Sequence, residues 1–179
     1  ALNVQRTIKL LERAGAAAIQ LEDQSLPKRC GHLDGKTLVN AVEMNGKIRA
    51  ALDVRSNSDT VIVARTDAIS VEGYDAAMDR AAGFVESGAD VLFIEAFQNF
   101  EQIAGAVKQF GGKVPLLINM VEGGKTPTLP AEELEKIGFT IVIFPGGLVR
   151  AIAHTTIRYF ASLKKNGGTQ EYQDMMFNF

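Results

Sequence analysis

Five short apolar runs, at 17–21, 60–65, 90–96, 115–120 and 140–145, alternate one by one with stretches of helical periodicity, and this alternation limits the possible folds more than any other feature. The helical stretches fall at about 36–54, 74–87, 100–110, 130–137 and 148–164. Another opens the chain, where Val4, Ile8, Leu10 and Leu11 share helical spacing and Gly15 follows as a stop. The stretch at 36–54 carries Leu38, Val42, Ile48 and Leu52 as its apolar positions. Strands separated by single helices pair in parallel through right-handed crossovers, which leaves a doubly wound sheet or part of a (β/α)8 barrel.

Polar residues favour the barrel. Glu22, Arg65, Glu95 and Asn119 each stand at the C-terminal end of a different run, as expected where several strands surround one site. A doubly wound sheet gathers such groups at one crevice. A whole barrel takes about 250 residues and eight strands, and these 179 residues supply five. An open five-strand piece leaves apolar strand edges unpaired, so the expectation is part of a larger polypeptide.

Charge and cysteine content exclude several classes of function. With 19 basic against 21 acidic residues the chain has no polyanion-binding excess, so nucleic acid is not expected as a partner. No run reaches the roughly 18 apolar residues of a membrane span, and the N-terminus lacks the layout of a signal peptide. One cysteine makes no internal disulfide, which suits a reducing, cytoplasmic setting. For a lone cysteine, burial as a small apolar side chain is the default reading.

The segment Glu22-Asp23-Gln24-Ser25-Leu26-Pro27-Lys28-Arg29-Cys30-Gly31-His32 argues against that default, because no packing role asks for acids, bases and a thiol together at a strand end. Cys30 lies beside Lys28, Arg29 and His32, and a thiol among cationic groups exchanges protons readily near neutral pH. Glu22 and Asp23 are neighbours on a strand end, so their side chains leave opposite faces and one of them enters a site. Arg65 ends an apolar strand, where an unpaired cation is costly. It should grip a carboxylate in two parallel bonds, either a substrate's or that of Asp67. His154, between Ile152 and Ile157, reads as a packed structural histidine. The turn Phe144-Pro145-Gly146-Gly147 reads either as a phosphate-binding barrel end or as a plain strand-to-helix connection.

The Glu22–His32 segment, with Ala64-Arg65-Thr66-Asp67-Ala68, Phe93-Ile94-Glu95-Ala96, Asn119 to Pro127 and Gly138-Phe139, resembles the isocitrate lyase / phosphoenolpyruvate mutase superfamily, in its carbon–carbon lyase branch that includes 2-methylisocitrate lyases. The resemblance implies a (β/α)8 TIM-type barrel with strands four to eight present. Residues 1–165 would be the C-terminal part of the barrel and 166–179 the start of a helical segment of the kind exchanged between subunits.

It also implies roles. Cys30 protonates the carbanion left when the carbon–carbon bond breaks, with Lys28 and His32 in the same catalytic loop. Gly31, Arg65, Glu95, Asn119 and Thr126 bind substrate carboxylates or their surroundings, and Glu22 holds Mg²⁺ or its Mn²⁺ substitute. Asp23 and Gln24 orient the loop. The expected substrate is a small 2-hydroxy di- or tricarboxylate, cleaved to a 2-oxo acid and a dicarboxylate by a homo-oligomer, a tetramer or dimer of dimers. Leu33-Asp34-Gly35-Lys36 departs from the Arg-containing continuation of bacterial 2-methylisocitrate lyases, and Gly123-Gly124-Lys125-Thr126-Pro127 also resembles relatives acting on dimethylmalate, oxaloacetate or carboxyphosphonoenolpyruvate, which leaves the substrate open. The superfamily's aspartate-rich metal loop belongs to strands not present here, so these residues alone are expected to bind Mg²⁺ poorly and not to turn over. A non-catalytic fragment and a phosphate-ester enzyme are the readings from other classes.

Overall fold

A computed structural model describes residues 1–178; Phe179, at the end of the segment expected to start a swapped helix, lies outside the described residues. The chain forms two compact units, one spanning Ala1–Ile143 and one beginning at Phe144. In the first unit α1 (Leu2–Arg13) leads into β1 (Ala18–Glu22), α2 (Ala41–Val54), β2 (Val61–Thr66), α3 (Tyr74–Glu86), β3 (Val91–Ile94), α4 (Phe100–Phe110), β4 (Leu116–Asn119), α5 (Ala131–Ile137) and β5 (Ile141–Ile143). The second unit holds α6 (Gly147–Asn166) and a 3₁₀ turn, Gln170–Met175.

All five strands are parallel, in the spatial order β1-β2-β3-β4-β5. Strand order decides what periodicity left open. A doubly wound sheet reverses its order at a switch point, and this one never does, which is the order of a (β/α)8 barrel.

Alternation along the strands sorts side chains into two layers. Ala64, Leu92, Ile94, Leu116 and Ile118 pack under the helices against Met44, Ile48, Phe84, Ile103, Phe110 and Leu134. Val63, Val91, Phe93 and Leu117 form the other face with Val61, Ile141 and Ile143. The register lines up Glu22, Arg65, Phe93, Leu117 and Ile141 across the sheet on that second face. Two residues beyond Phe93 and Leu117, the same alternation delivers Glu95 and Asn119. Period two therefore carries the polar strand ends to one side of the sheet.

Three expectations from periodicity need correction. α2 begins at Ala41 rather than near Lys36, because Asn40 caps it by accepting the Glu43 N–H at 2.8 Å. Residues 36–39 are extended instead: Ser25 N–H donates to the Thr37 carbonyl, Val39 N–H to the Asp23 carbonyl, and Gln24 pairs with Leu38 in an antiparallel bridge. Val42 and Leu10 are exposed, the core of these helices being Met44, Ile48 and Ile8. His154 is exposed on α6, as are Ile152 and Ile157, so within its unit it is not a packed histidine. The turn at 144–147 serves as the connection into α6, whose first residue is Gly147. No helix among the described residues is long and apolar enough to cross a membrane.

Candidate active site at the strand ends

The site is built around Arg65, at the end of β2. Its Nε and Nη2 donate to Asp67 Oδ2 and Oδ1, both at 3.0 Å, and Nη2 also lies 3.1 Å from Glu95 Oε2. Nε is 3.6 Å from Glu22 Oε2, and the guanidinium carbon sits 4.9 Å from the centre of the Phe93 ring. Burial works against the charge, but the bonds to Asp67 and the charges of Asp67, Glu95 and Glu22 hold the Arg65 pKa above its ordinary value. Of the two partners left open for its bidentate grip, the structure shows Asp67 taking that face.

Glu95, 1% exposed, is the second hub. Its Oε1 accepts the Ala96 N–H at 3.0 Å, and its Oε2 accepts from Asn119 Nδ2 at 3.1 Å. Ala96 holds a left-handed φ of 65°, which bends the chain straight after β3 and brings that N–H back onto the carboxylate. A non-glycine residue in that region carries strain of order 1 kcal/mol, offset here by a buried charge-assisted bond.

Asp23, fully buried, braces the arrangement from behind, as expected of a loop-orienting residue on the face opposite Glu22. It accepts the Thr66 hydroxyl at 2.7 Å and the Asp67 N–H at 2.9 Å, and Arg80 Nη1 lies 3.5 Å away. Burial raises its pKa, opposed by those hydrogen bonds and by Arg80. Arg80 is itself gripped by Glu72 through two bonds of 2.7 Å.

The Cys30 loop lies over this cluster. Gly31 is buried with no room for a side chain, since a Cβ there would run into Arg65 Nη2, Glu95 Cγ and Asp67 Oδ1. Gln24 fastens one end of the loop: its Oε1 accepts the Arg29 N–H at 2.8 Å and its Nε2 donates to the Arg29 carbonyl at 2.9 Å. Cys30 is exposed with a free thiol. Lys28, half-exposed, reaches Glu22 Oε1 at 3.1 Å.

His32 accepts the backbone N–H of Lys125 on Nδ1 at 3.1 Å. Its proton therefore belongs on Nε2, which is buried without a hydrogen-bond partner and stands 3.4 Å from Glu95 Oε1. Lys125 adds a second tie through its ammonium, 2.8 Å from Asp34 Oδ1. Thus the Gly-rich loop after β4 closes onto the Cys30 loop, and Thr126 is buried in the residue that follows. Sequence reasoning missed both Lys125, whose contact spans 93 positions, and Lys36, which donates to the Gly31 carbonyl at 2.7 Å and to that of Leu33.

Buried polar atoms with no hydrogen-bond partner include Glu22 Oε2, His32 Nε2 and Asn119 Oδ1, all belonging to this one site. They amount to an acceptor, a donor and an acceptor, hydrogen-bonding capacity that the protein itself leaves unused. No three His, Cys, Asp or Glu side chains converge as a metal centre among the described residues. Mg²⁺ keeps several waters and takes one or two carboxylates besides its substrate oxygens. Glu22 Oε2 fits such an ion as a single arm, not as a complete site.

Comparison with known proteins agrees with this geometry. The family described as phosphoenolpyruvate phosphomutase matches residues 1–164. The chain is 42% identical to 2,3-dimethylmalate lyase of Eubacterium barkeri, over 100% of this chain and 61% of that protein. It is 44% identical to 2-methylisocitrate lyase of Aeropyrum pernix, over 99% and 56%. The chain thus spans little more than half the length of these curated relatives. Crystal structures of 2,3-dimethylmalate lyase (TM-score 0.88, 37% identity, 96% of this chain and 57% of that one) and of oxaloacetate acetylhydrolase with 3,3-difluorooxalacetate (0.87, 38%, 93% and 57%) share its fold. With a family match over residues 1–164 and the fold of a structure of the phosphoenolpyruvate mutase/isocitrate lyase superfamily, the chain belongs to the phosphoenolpyruvate phosphomutase family of that superfamily.

Proposed function

We propose that the protein carrying this chain is a carbon–carbon lyase that cleaves a small 2-hydroxy di- or tricarboxylate to a 2-oxo acid and a dicarboxylate. The observation that carries the reading is Gly31 seated on the Arg65–Asp67–Glu95 cluster. That seat fixes Cys30, the residue before it, as an exposed thiol beside a buried cluster of charged side chains.

The reaction is a retro-aldol cleavage. A base takes the hydroxyl proton, and the O–H electron pair forms the carbonyl as the neighbouring carbon–carbon bond breaks. The pair from that bond is left on the departing dicarboxylate as an enediolate, and Cys30 delivers a proton to its carbon. Arg65 and the Nε2–H of His32 stabilise the negative charge as it develops, being fixed before the reaction by Asp67 and by Lys125. Lys28 adds positive charge at the exposed lip. Glu22 would be this chain's arm toward Mg²⁺, or Mn²⁺ in its place, which would supply positive charge to the developing oxyanion. A cytoplasmic homo-oligomer, a tetramer or dimer of dimers, remains part of the proposal.

Support comes from relatives named for lyase activity on 2,3-dimethylmalate and 2-methylisocitrate. The test is Cys30→Ser in the full polypeptide, assayed with Mg²⁺ on 2-methylisocitrate, 2,3-dimethylmalate and oxaloacetate. Loss of an acid/base group predicts a fall in turnover of about 10²–10⁴-fold on whichever substrate is cleaved. Unchanged turnover would refute the role of Cys30, and no cleavage of any of the three by the unaltered protein would refute the lyase reading.

A further inference from the structure

Lys36 is 6% exposed, an unusual place for an ammonium, and its whole hydrogen bonding goes to the loop just before it. Nζ donates to the Gly31 carbonyl at 2.7 Å and to the Leu33 carbonyl, while the Leu33 N–H donates to the Cys30 carbonyl at 3.0 Å. One backbone turn, Cys30 to Leu33, and two of its carbonyls are thereby tied to one charge. At the other end Gln24 holds the Arg29 backbone through two bonds. Cys30 is thus suspended between two clamps, and Gly31 beyond it is pressed on the Arg65 cluster.

We infer that Lys36 is a positioning residue for the proposed chemistry, holding Cys30 and Gly31 in register with Arg65 and Glu95 by binding the Gly31 and Leu33 carbonyls. This rests on the reading of the Cys30 loop as catalytic. Burying an ammonium is costly, and burial pulls the Lys36 pKa down while Asp67 works to raise it. What Lys36 holds is the loop. A displacement of that loop by about 1 Å is enough to cost on the order of 10²-fold in rate.

The test is Lys36→Met in the full polypeptide, followed by peptide-resolved hydrogen exchange and steady-state kinetics, with Lys36→Ala assayed in propylammonium. Expected are exchange in the 28–35 peptide faster by about tenfold or more with β2–β4 unchanged, kcat lower by about 10- to 100-fold with KM within about threefold, and partial recovery of Lys36→Ala turnover by the amine. Unchanged exchange at 28–35 overturns the inference. So does exchange accelerated throughout β2–β4 without amine rescue, which would make Lys36 a residue of the fold. If the unaltered protein cleaves none of the three carboxylates, the lyase reading falls, and the exchange measurement still decides whether Lys36 positions the loop.

Discussion

Arg65 and Asp67, two residues apart at the end of β2, face each other through two parallel 3.0 Å hydrogen bonds. Asp67 is 1% exposed, so a guanidinium that loses it keeps only Glu95 within hydrogen-bonding distance. Removing one member of a buried pair costs about 3–5 kcal/mol, and Glu95 places Asp67→Ala near the lower end. Urea denaturation should show a loss of about 3 kcal/mol. In the Arg65→Met/Asp67→Ala double variant the losses should fall short of additive by about 1 kcal/mol or more. Additive losses would mean that the pair holds nothing jointly.

Gly31 is glycine for reasons of space rather than backbone freedom, since its φ is ordinary and the atoms facing it are Arg65, Glu95 and Asp67. Gly31→Ala should lift the loop from the cluster. Overpacking of this kind costs about 1–3 kcal/mol, a modest change in melting temperature, whereas turnover should drop by about 100-fold because Cys30 moves with the loop. A variant with unaltered turnover would show that the loop adapts without consequence.

Strand ends were legible because apolar runs mark strands and period two fixes faces: Glu22, Arg65, Glu95 and Asn119 could be placed on one side before any coordinate was known. What Arg65 holds was not legible. Asp67 and a ligand carboxylate offer the same chemistry, and only geometry separates them. Lys36 was hidden because a lysine next to an amphipathic run reads as the exposed start of a helix, and nothing local reveals that its ammonium turns back to bind carbonyls. The His32 proton was out of reach because its place is set by a backbone N–H in a loop 93 residues away.

The tie between Lys125 and Asp34 joins two loops at the surface and has a pH signature. Hydrogen bonding to Lys125 and its charge hold the Asp34 pKa below its ordinary value. A depressed folded-state pKa contributes stability that is present above the ordinary carboxylate value and is lost as pH falls through the depressed one. In Lys125→Met the Asp34 titration, followed by NMR of its carboxyl carbon, should move upward toward the ordinary value. The His32–Lys125 backbone bond needs no side chain at 125 and should survive. An Asp34 titration that stays put would show the tie to be absent in solution.

Asn119 is the neutral neighbour of Glu95: Nδ2 donates to Glu95 Oε2 at 3.1 Å, while Oδ1 is buried without a hydrogen-bond partner. The cluster already holds the carboxylates Glu22, Asp67 and Glu95 against the cations Arg65 and Lys28. Asn119→Asp would place a further carboxyl against Glu95, where the neighbouring cation, Arg65, is already shared between Asp67 and Glu95. Like charges at that distance raise the pKa of one of the pair. A raised folded-state pKa gives stability that is present at low pH and is lost as pH rises through it. Asn119→Asp should therefore fold almost as well as the parent near pH 4 and fall behind by about 2–3 kcal/mol near pH 8, on the basis of about 1.4 kcal/mol per pKa unit. Asn119→Ala separates charge from the lost bond, because deleting the amide costs about 1–2 kcal/mol with no such slope against pH. Chemical denaturation of both variants at the two pH values is the measurement. Parallel behaviour of the two variants would mean that a carboxyl at 119 is not repelled by Glu95 in the folded protein.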